Sequence, residues 1–226
     1  MLGPKIVELK KRLIEYSQLV ESMIEKSIRG LMEKNESLFW EVMKKDEPKA
    51  NNFDREIDEI CTVVIAQFEP DARDLRTVLM ILKMNNDLER IADHAVNISE
   101  SGLFLIARPF LKQLKYIPTM AETSSAMLKD SIDAFINEDA PLARSVFKRD
   151  NIVDGMGDKL LEEVTRFMHE EHDGIKRSLH LMRIAHNLER IADLSTNICE
   201  GVIYIVEGKD VKHSQEDTNG GNISQS

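Results

Sequence analysis

Two stretches of the chain decide how it folds: ILKMNNDLERIADHAVNISE at residues 81–100 and LMRIAHNLERIADLSTNICE at residues 181–200. They agree at nine of twenty positions, and both contain LERIAD, at residues 88–93 and 188–193. Self-similarity at a fixed spacing indicates an internal duplication. The sequence therefore predicts two halves built from the same set of elements.

The composition favours helices over sheet. Of 226 residues, 42% are apolar but only 5% are aromatic, and the chain has 10 Gly and 6 Pro. Few aromatic residues and long stretches without Gly or Pro are typical of helices. Breaks at Pro, Gly and polar clusters divide the chain into six predicted helices, with Pro48 as a candidate interruption of the second. These helices cover residues 5–32, 37–67, 72–107, 110–137, 141–171 and 175–207.

Long helices joined by short loops pack as antiparallel neighbours. The predicted fold is therefore all-α, with six long antiparallel helices in two tandem, pseudo-symmetric three-helix bundles. The first bundle covers residues 1–108 and the second covers residues 109–210. The polar segment 211–226 is predicted to be disordered, because it lacks the apolar residues that a core requires.

The charge and the cysteines exclude several classes of protein. The formal net charge is −10 and no basic patch is present, so we expect no nucleic-acid partner. Cys61 and Cys199 lie in apolar helical stretches and are predicted to be buried free thiols. Residues 1–13, MLGPKIVELKKRL, lack the apolar core of a signal peptide, and no stretch is apolar enough to span a membrane. We therefore expect a cytoplasmic protein.

Each LERIAD segment places two carboxylates opposite its apolar stripe. At 100° per residue, Ile91 faces the core, whereas Glu89 and Asp93 lie nearly opposite, and Glu189 and Asp193 repeat this arrangement. The solvent-exposed face of an ordinary amphipathic helix has the same pattern, so that interpretation stays open. Against it, the stripe holds only acids and amides, whereas exposed faces usually mix acidic with basic residues four apart.

The polar stripe also continues an apolar one. Leu79 precedes Glu89 on the same side of the third helix, as Leu179 precedes Glu189 on the sixth. We therefore expect that side of both helices to pack against another helix at one end.

Acidic residues of the preceding helix are expected beside each stripe, because the two helices run antiparallel. Each half then brings together several oxygen donors from two adjacent helices, as in metal sites of helical bundles. The candidate ligands are Glu47, Asn51, Asp54, Glu89 and Asp93 in the first half, and Asp150, Asp154, Glu189 and Asp193 in the second. Oxygen-only ligand sets suit hard cations such as Mg²⁺, Ca²⁺, Mn²⁺ or oxidised iron.

Further segments join the LERIAD pair in pointing to a known family. They are IDEIC at 57–61, FEPDARDLRTVL at 68–79, FKRDNIVD at 147–154 and NICEGVIYIVEGKD at 197–210. With them, residues 5–210 resemble the PhoU family, accessory regulators of the bacterial high-affinity phosphate transport system. The resemblance implies two three-helix bundles with E(D)xxxD motifs that hold multinuclear metal clusters, iron in particular.

The resemblance also implies ligand pairs: Glu89 with Asp93, Glu189 with Asp193, and Asp150 with Asp154. For the second helix of the first half, two registers stay open. One register matches Glu47 and Asn51 to Asp150 and Asp154, with Asp54 as a possible further ligand. The other register matches Asp54 and Asp58 to Asp154 and Asp158, at the same 100-residue offset as the LERIAD pair.

The function implied by the resemblance is negative regulation of phosphate uptake and of the phosphate-starvation response. The implied partners are the transporter's ATPase subunit and a sensor histidine kinase, and we expect a homodimer that is peripheral to the membrane complex. The sequence has no Gly-rich phosphate loop and no Ser, His and Asp arrangement, so we expect no enzyme.

Two other interpretations stay open. One is a di-iron carboxylate enzyme, although the Glu-x-x-His spacing typical of such sites is missing, because Ala92 and Ala192 stand at the His positions. The other is an accessory protein of another transporter.

Overall fold

The computed structural model describes residues 2–109 and 111–208, and in these ranges it contains helices and no strand. The α-helices are α1 (Leu2–Glu33), α2 (Glu36–Glu41), α3 (Glu47–Phe68), α4 (Ala72–Ile106), α5 (Ile117–Asn137), α6 (Ala140–Glu170) and α7 (Ile175–Glu207). The all-α prediction is confirmed. The predicted disordered segment 211–226 lies outside the described residues.

The long helices form two three-helix bundles. In the first, α1, α3 and α4 pack against one another, and in the second α5, α6 and α7 do the same. The bundles meet where α4 lies along α7 and α1 lies against α5. Because both contacts are extensive, the buried side chains of the two halves form one continuous hydrophobic core.

The core residues of the two halves occupy equivalent positions. Tyr16, Met23 and Ser27 of α1 are buried, and so are the residues 104 positions later in α5. In α4 and α7 the offset is 100, so Ile91 and Ile191 of the LERIAD segments are both fully buried. The burial pattern therefore supplies a residue-by-residue register between the halves.

Pro48 does not interrupt the helix but follows a π-helical segment, Val42–Asp46, that joins α2 to α3. Proline has no N–H to donate, and the Glu47 N–H donates to the Val42 carbonyl five residues back. The buried residue of the second half that is equivalent to Val42 lies 104 positions later in the chain. Val153, the buried equivalent of Ala50, lies only 103 positions later. The first half therefore carries one extra residue here, and the helix accommodates it as a π turn.

The predicted start of the fourth helix at residue 110 was wrong. Residues Lys112–Tyr116 form a 3₁₀ turn, and α5 begins at Ile117, with Pro118 in its first turn. Proline suits the first turn, where its missing N–H would have no helical partner. The first helix also begins earlier than predicted, at Leu2 rather than at Lys5.

The apolar continuation of the acidic stripe is packed at Leu82 and Met182, which are partly buried against the core, but it is exposed at Leu79 and Leu179. Leu79 is 45% exposed and Leu179 is 57% exposed, so the expectation that this side packs against another helix was wrong at both positions. Cys61 and Cys199 are buried free thiols, as predicted. No helix in residues 2–109 and 111–208 is both long enough and apolar enough to cross a membrane.

Candidate metal centres

The acidic residues of α6 and α7 gather into one cluster in the second half. Burial, together with the negative charges of Asp154 and Asp193, raises the pKa of Asp150 to about 6. The pKa of Asp154 is raised by burial and by the charges of Asp193 and Asp158. Since these effects act over short distances, Asp150 and Asp154 of α6 lie near Asp193 of the second LERIAD segment.

The interior of this second cluster has an unpaired acceptor and a close helix contact. Asp150 Oδ1 is buried and has no hydrogen-bond partner. Glu189 lies over Gly157 of α6, where a Cβ would overlap Glu189 Oε1 and stand 3.0 Å from its Cδ. Gly157 therefore provides the room that brings the Glu189 carboxylate close to α6.

The first half has the corresponding cluster around an open groove of about 500 Å³. Glu47, Asn51, Asp54, Arg55 and Glu89 line this groove. The pKa of Glu89 is raised by burial and by the charges of Asp93 and Asp54. The structure thus brings together the candidate ligands of α3 and α4.

The burial pattern indicates how the two clusters correspond. Ala50, Ile57 and Cys61 of α3 are buried, as are the α6 residues 103 positions later. This register matches Glu47 with Asp150 and Asn51 with Asp154. It places Asp54 where α6 has Gly157, so a carboxylate faces Glu89 in the first half and a glycine faces Glu189 in the second.

Asp54 has a partner that sequence reasoning did not identify. Asn85 Nδ2 donates to the Asp54 carbonyl at 2.9 Å, to Asp54 Oδ1 at 2.8 Å and to Asp58 Oδ1 at 3.3 Å. Asn85 lies on the core-facing side of α4, next to the apolar stripe, and no sequence pattern distinguishes it from an ordinary buried amide. In the second half the equivalent residue is Ala185.

Basic groups lie at the edges of the clusters. Arg190 of the second LERIAD segment contacts Asp193 at 2.8 Å, and His186 Nδ1 is 3.6 Å from Glu189 Oε2. His94 lies on the other side of α4 and hydrogen-bonds to Asn187 Oδ1 at 2.7 Å. His94 is therefore an interfacial residue between the bundles.

The donor set of both clusters fits a hard cation, although the carboxylates stand apart. Among the described residues, no three His, Cys, Asp or Glu side chains are arranged so that together they could hold one metal ion. The donors are nevertheless all oxygen, their like charges repel one another, and Asp150 has a buried oxygen with no partner. A cation would reverse that repulsion, and the flexible side chains of Glu89 and Glu189 can rotate toward it.

Comparison with known proteins supplies a family. The PhoU domain model matches residues 13–102 and 117–202. The chain is 36% identical over 212 residues to the phosphate-specific transport system accessory protein PhoU homolog of Aquifex aeolicus, covering 94% of this chain and 96% of that protein. It is also 36% identical over 212 residues to PhoU homolog 2 of Thermotoga maritima, covering 94% and 90%.

Solved structures agree with the fold. The crystal structure of PhoU from Pseudomonas aeruginosa superposes with a TM-score of 0.89 at 30% identity, covering 92% of this chain and all of that one. The phosphate transport system regulatory protein PhoU from Streptococcus pneumoniae superposes with a TM-score of 0.87 at 27% identity, covering 94% and 100%.

Proposed function

The chain belongs to the PhoU family, and we propose that it is an accessory protein of a phosphate-specific transport system that restrains phosphate uptake and the phosphate-starvation response. The observation that carries this proposal is the similarity over 94% of the chain to relatives named as accessory proteins of that system. Those relatives are named as accessory or regulatory proteins rather than as enzymes.

We further propose that the two acidic clusters bind metal ions, with iron in multinuclear centres as the first candidate and Mg²⁺, Mn²⁺ or Ca²⁺ as the others. The first centre uses Glu47, Asn51, Asp54, Glu89 and Asp93, and the second uses Asp150, Asp154, Glu189 and Asp193. Support comes from the oxygen-only donors and from the burial and mutual repulsion that together raise the pKa of Asp150, Asp154 and Glu89. When bound, the ions would supply positive charge on an otherwise acidic surface.

The proposed partners are the transporter's ATPase subunit and the sensor histidine kinase. In this scheme the protein acts by docking, as a homodimer peripheral to the membrane complex. The first cluster lies in an open groove between α3 and α4, so a partner's acidic or amide side chains can reach it when it is loaded with metal.

A complementation experiment tests the regulatory role. The wild-type chain, expressed in a bacterium that lacks its own PhoU, should repress a phosphate-starvation reporter such as alkaline phosphatase in phosphate-rich medium. A variant with Glu89→Ala, Asp93→Ala, Glu189→Ala and Asp193→Ala should lose bound metal while it keeps its helical circular dichroism. We expect this variant to leave the reporter derepressed.

The matched control replaces Glu59 and Glu162, exposed acids at equivalent positions of α3 and α6 that lie outside both clusters. Glu59→Ala with Glu162→Ala removes two charges from the same helices and should leave metal content and repression unchanged. Metal content is measured by elemental analysis of the purified protein. Unchanged metal in the four-residue variant would refute the metal assignment, and a wild-type chain that never represses the reporter would refute the regulatory role.

A further inference from the structure

A groove opens where α4 of the first bundle meets α7 of the second. It has a volume of about 820 Å³ and lies between the first half of α4 and the last turns of α7. Leu79 and Tyr204 line this groove, and they are 45% and 50% exposed. Large apolar side chains that share one groove, rather than being scattered singly, are typical of a surface that binds another molecule.

The duplication shows what occupies the equivalent place in the other half of the molecule. There Arg183 of α7 reaches across to α4 and donates to Asn97 Oδ1 at 2.6 Å and to Glu100 Oε2 at 2.9 Å. The ring of Phe104 stacks on the ring of His180, with centroids 3.8 Å apart. In that half, an arginine of the chain itself therefore bridges the two helices through an amide and a carboxylate.

A second guanidinium lies against the aromatic ring of the same half. The guanidinium carbon of Arg108 is 3.4 Å from the centroid of the Phe104 ring, which is a cation–π contact. The amide, the carboxylate and the ring together form a receptor for guanidinium groups. The chain's own arginines occupy this receptor.

The open groove keeps the receptor but has no arginine at the equivalent positions. Lys83 stands where the other half has Arg183, and Gly208 stands where it has Arg108. A lysine ammonium is a point charge and does not reproduce the planar, two-pronged contact of a guanidinium. The residues 100 positions after the amide, the carboxylate and the ring all line the groove, and they are Asn197, Glu200 and Tyr204.

The floor of the groove leaves the Tyr204 ring accessible. A Cβ on Gly201 would overlap Sδ and Cε of Met80, so Met80 packs against the backbone of α7. The residue equivalent to Met80 is His180, which stacks on the ring of its half instead. Among the described residues no cation lies over the Tyr204 ring, although Arg76 also lines the groove.

We propose that this groove binds a partner segment that presents an arginine next to an apolar side chain. The guanidinium donates to Asn197 and Glu200 and lies against the Tyr204 ring, while the apolar side chain contacts Leu79. A carboxylate has about four acceptor positions, so Glu200 accepts the guanidinium without losing its contacts within the chain. The net charge of −10 favours the approach of a cationic segment. The inference rests on the proposed docking role and does not require bound metal.

Methyl NMR of the full-length protein tests the groove with defined probes. The methionine methyl groups are isotope-labelled, and the signal of Met80, assigned by its loss in Met80→Leu, reports on the groove floor. The probe is acetyl-Leu-Arg-Leu-amide, and the matched probes carry citrulline or lysine in place of arginine. We expect the arginine peptide to shift the Met80 signal and to bind at least about fivefold more tightly than the citrulline peptide, which has the same shape without the charge.

A variant that copies the other half should close the groove. Lys83→Arg supplies the arginine that position 183 has, and its guanidinium competes for the same acceptors. We expect it to weaken binding of the arginine peptide at least about fivefold. Lys159→Arg, at an exposed position of α6 outside the groove, makes the same change and should leave binding unaltered. Tyr204→Ala removes the ring and should weaken binding about twofold to fivefold.

Equal binding of the arginine and citrulline peptides, or unchanged binding in Lys83→Arg, overturns the proposal. Tighter peptide binding after removal of residues 209–226 would assign the groove to the chain's own C-terminal segment. Self-association in sedimentation that Lys83→Arg weakens would assign it to a second copy. Either result overturns an external partner.

The groove and the regulatory role can fail separately. A wild-type chain that binds the arginine peptide but never represses the phosphate-starvation reporter refutes the regulatory role and supports the groove. A chain that represses the reporter but does not distinguish arginine from citrulline refutes the groove and leaves the regulatory role intact.

Discussion

Substitution of Gly157 by alanine should make the protein more stable and its second cluster weaker. Gly157 is buried in the middle of α6, and an added Cβ would overlap Glu189 Oε1 and lie 3.0 Å from Glu189 Cδ. Gly155, two residues earlier in the same helix, has nothing within 4 Å of its Cβ position. The two glycines therefore share a helix but differ in what they face.

The stability change follows from helix propensity. Alanine is favoured over glycine in a helix interior by about 1 kcal/mol. The overlapping atom is the free end of a flexible side chain, so Glu189 can rotate away at a smaller cost. We expect Gly157→Ala to raise the free energy of unfolding by about 0.5 kcal/mol or more, which is roughly 1–3 °C in Tm for a chain of this length. Gly155→Ala should raise the free energy of unfolding by the full helix-propensity difference of about 1 kcal/mol.

The change in metal binding follows from the displacement of Glu189. Restoring an ordinary contact distance between carbon and oxygen moves the carboxylate by roughly 1.5 Å or more. Metal–oxygen distances tolerate only a few tenths of an ångström, about 0.2 Å for a well-formed site. The displaced carboxylate should therefore cost the second cluster at least about tenfold in affinity.

The assay separates the two effects. Urea unfolding of the metal-free protein gives the stability, and Mn²⁺ titration followed by electron paramagnetic resonance gives the affinity. Both are measured in the Glu89→Ala, Asp93→Ala background, so that only the second cluster binds. If Gly157→Ala and Gly155→Ala bind Mn²⁺ equally tightly, then Glu189 is not a ligand in the position that α6 imposes, and the reasoning fails.

Two further predictions concern charges. Folding raises the pKa of Asp150 from 3.8 to about 6. The folded protein therefore binds the proton of this carboxyl more tightly than the unfolded chain does. The metal-free protein should lose stability as the pH rises from 3.8 to about 6. Asp150→Asn should flatten the dependence of Tm on pH between about 4 and 7, and in the wild type Mn²⁺ affinity should fall as pH drops below about 6. Lys26 Nζ contacts Asp46 Oδ2 at 2.6 Å, and Asp46 is 2% exposed. Lys26→Met should therefore lower the free energy of unfolding by about 3 kcal/mol in urea, and a loss below about 1 kcal/mol would mean that Lys49, 3.3 Å from Asp46, is a sufficient partner.

The sequence predicted the third and sixth helices best, because the LERIAD segments constrain them twice. Ile91 and Ile191 repeat the same apolar position, and the bounds of α4 and α7 match the predicted ranges within one residue. The helix face that carries the acids opposite Ile91 could likewise be predicted from helix geometry alone. Helix periodicity decides which residues share a face, and it needs no knowledge of the neighbours.

The register of the second helix could not be predicted, because it depends on a local backbone feature. The π turn at Val42–Asp46 changes the offset between the halves by one residue, or about 100° of helix rotation. The sequence offers Pro48 as a warning there, but it does not distinguish a break from a π turn.

The duplication provides an internal comparison that favours a site over a solvated face. Near each cluster, an ion pair links the first and second helices of the bundle, but its charges are exchanged: Lys26 with Asp46 in the first half, and Asp130 with Arg149 at the equivalent positions of the second. A pair of side chains that only stabilise each other keeps its attraction when both charges are exchanged, so such an exchange is tolerated. The LERIAD carboxylates keep the same sign in both halves, although each pair places like charges four residues apart on one helix. The ion pair attracts in either arrangement of its charges, so it can differ between the halves. The two LERIAD acids of each half repel each other, and their unchanged negative charge is expected if their partner is a cation from outside the chain.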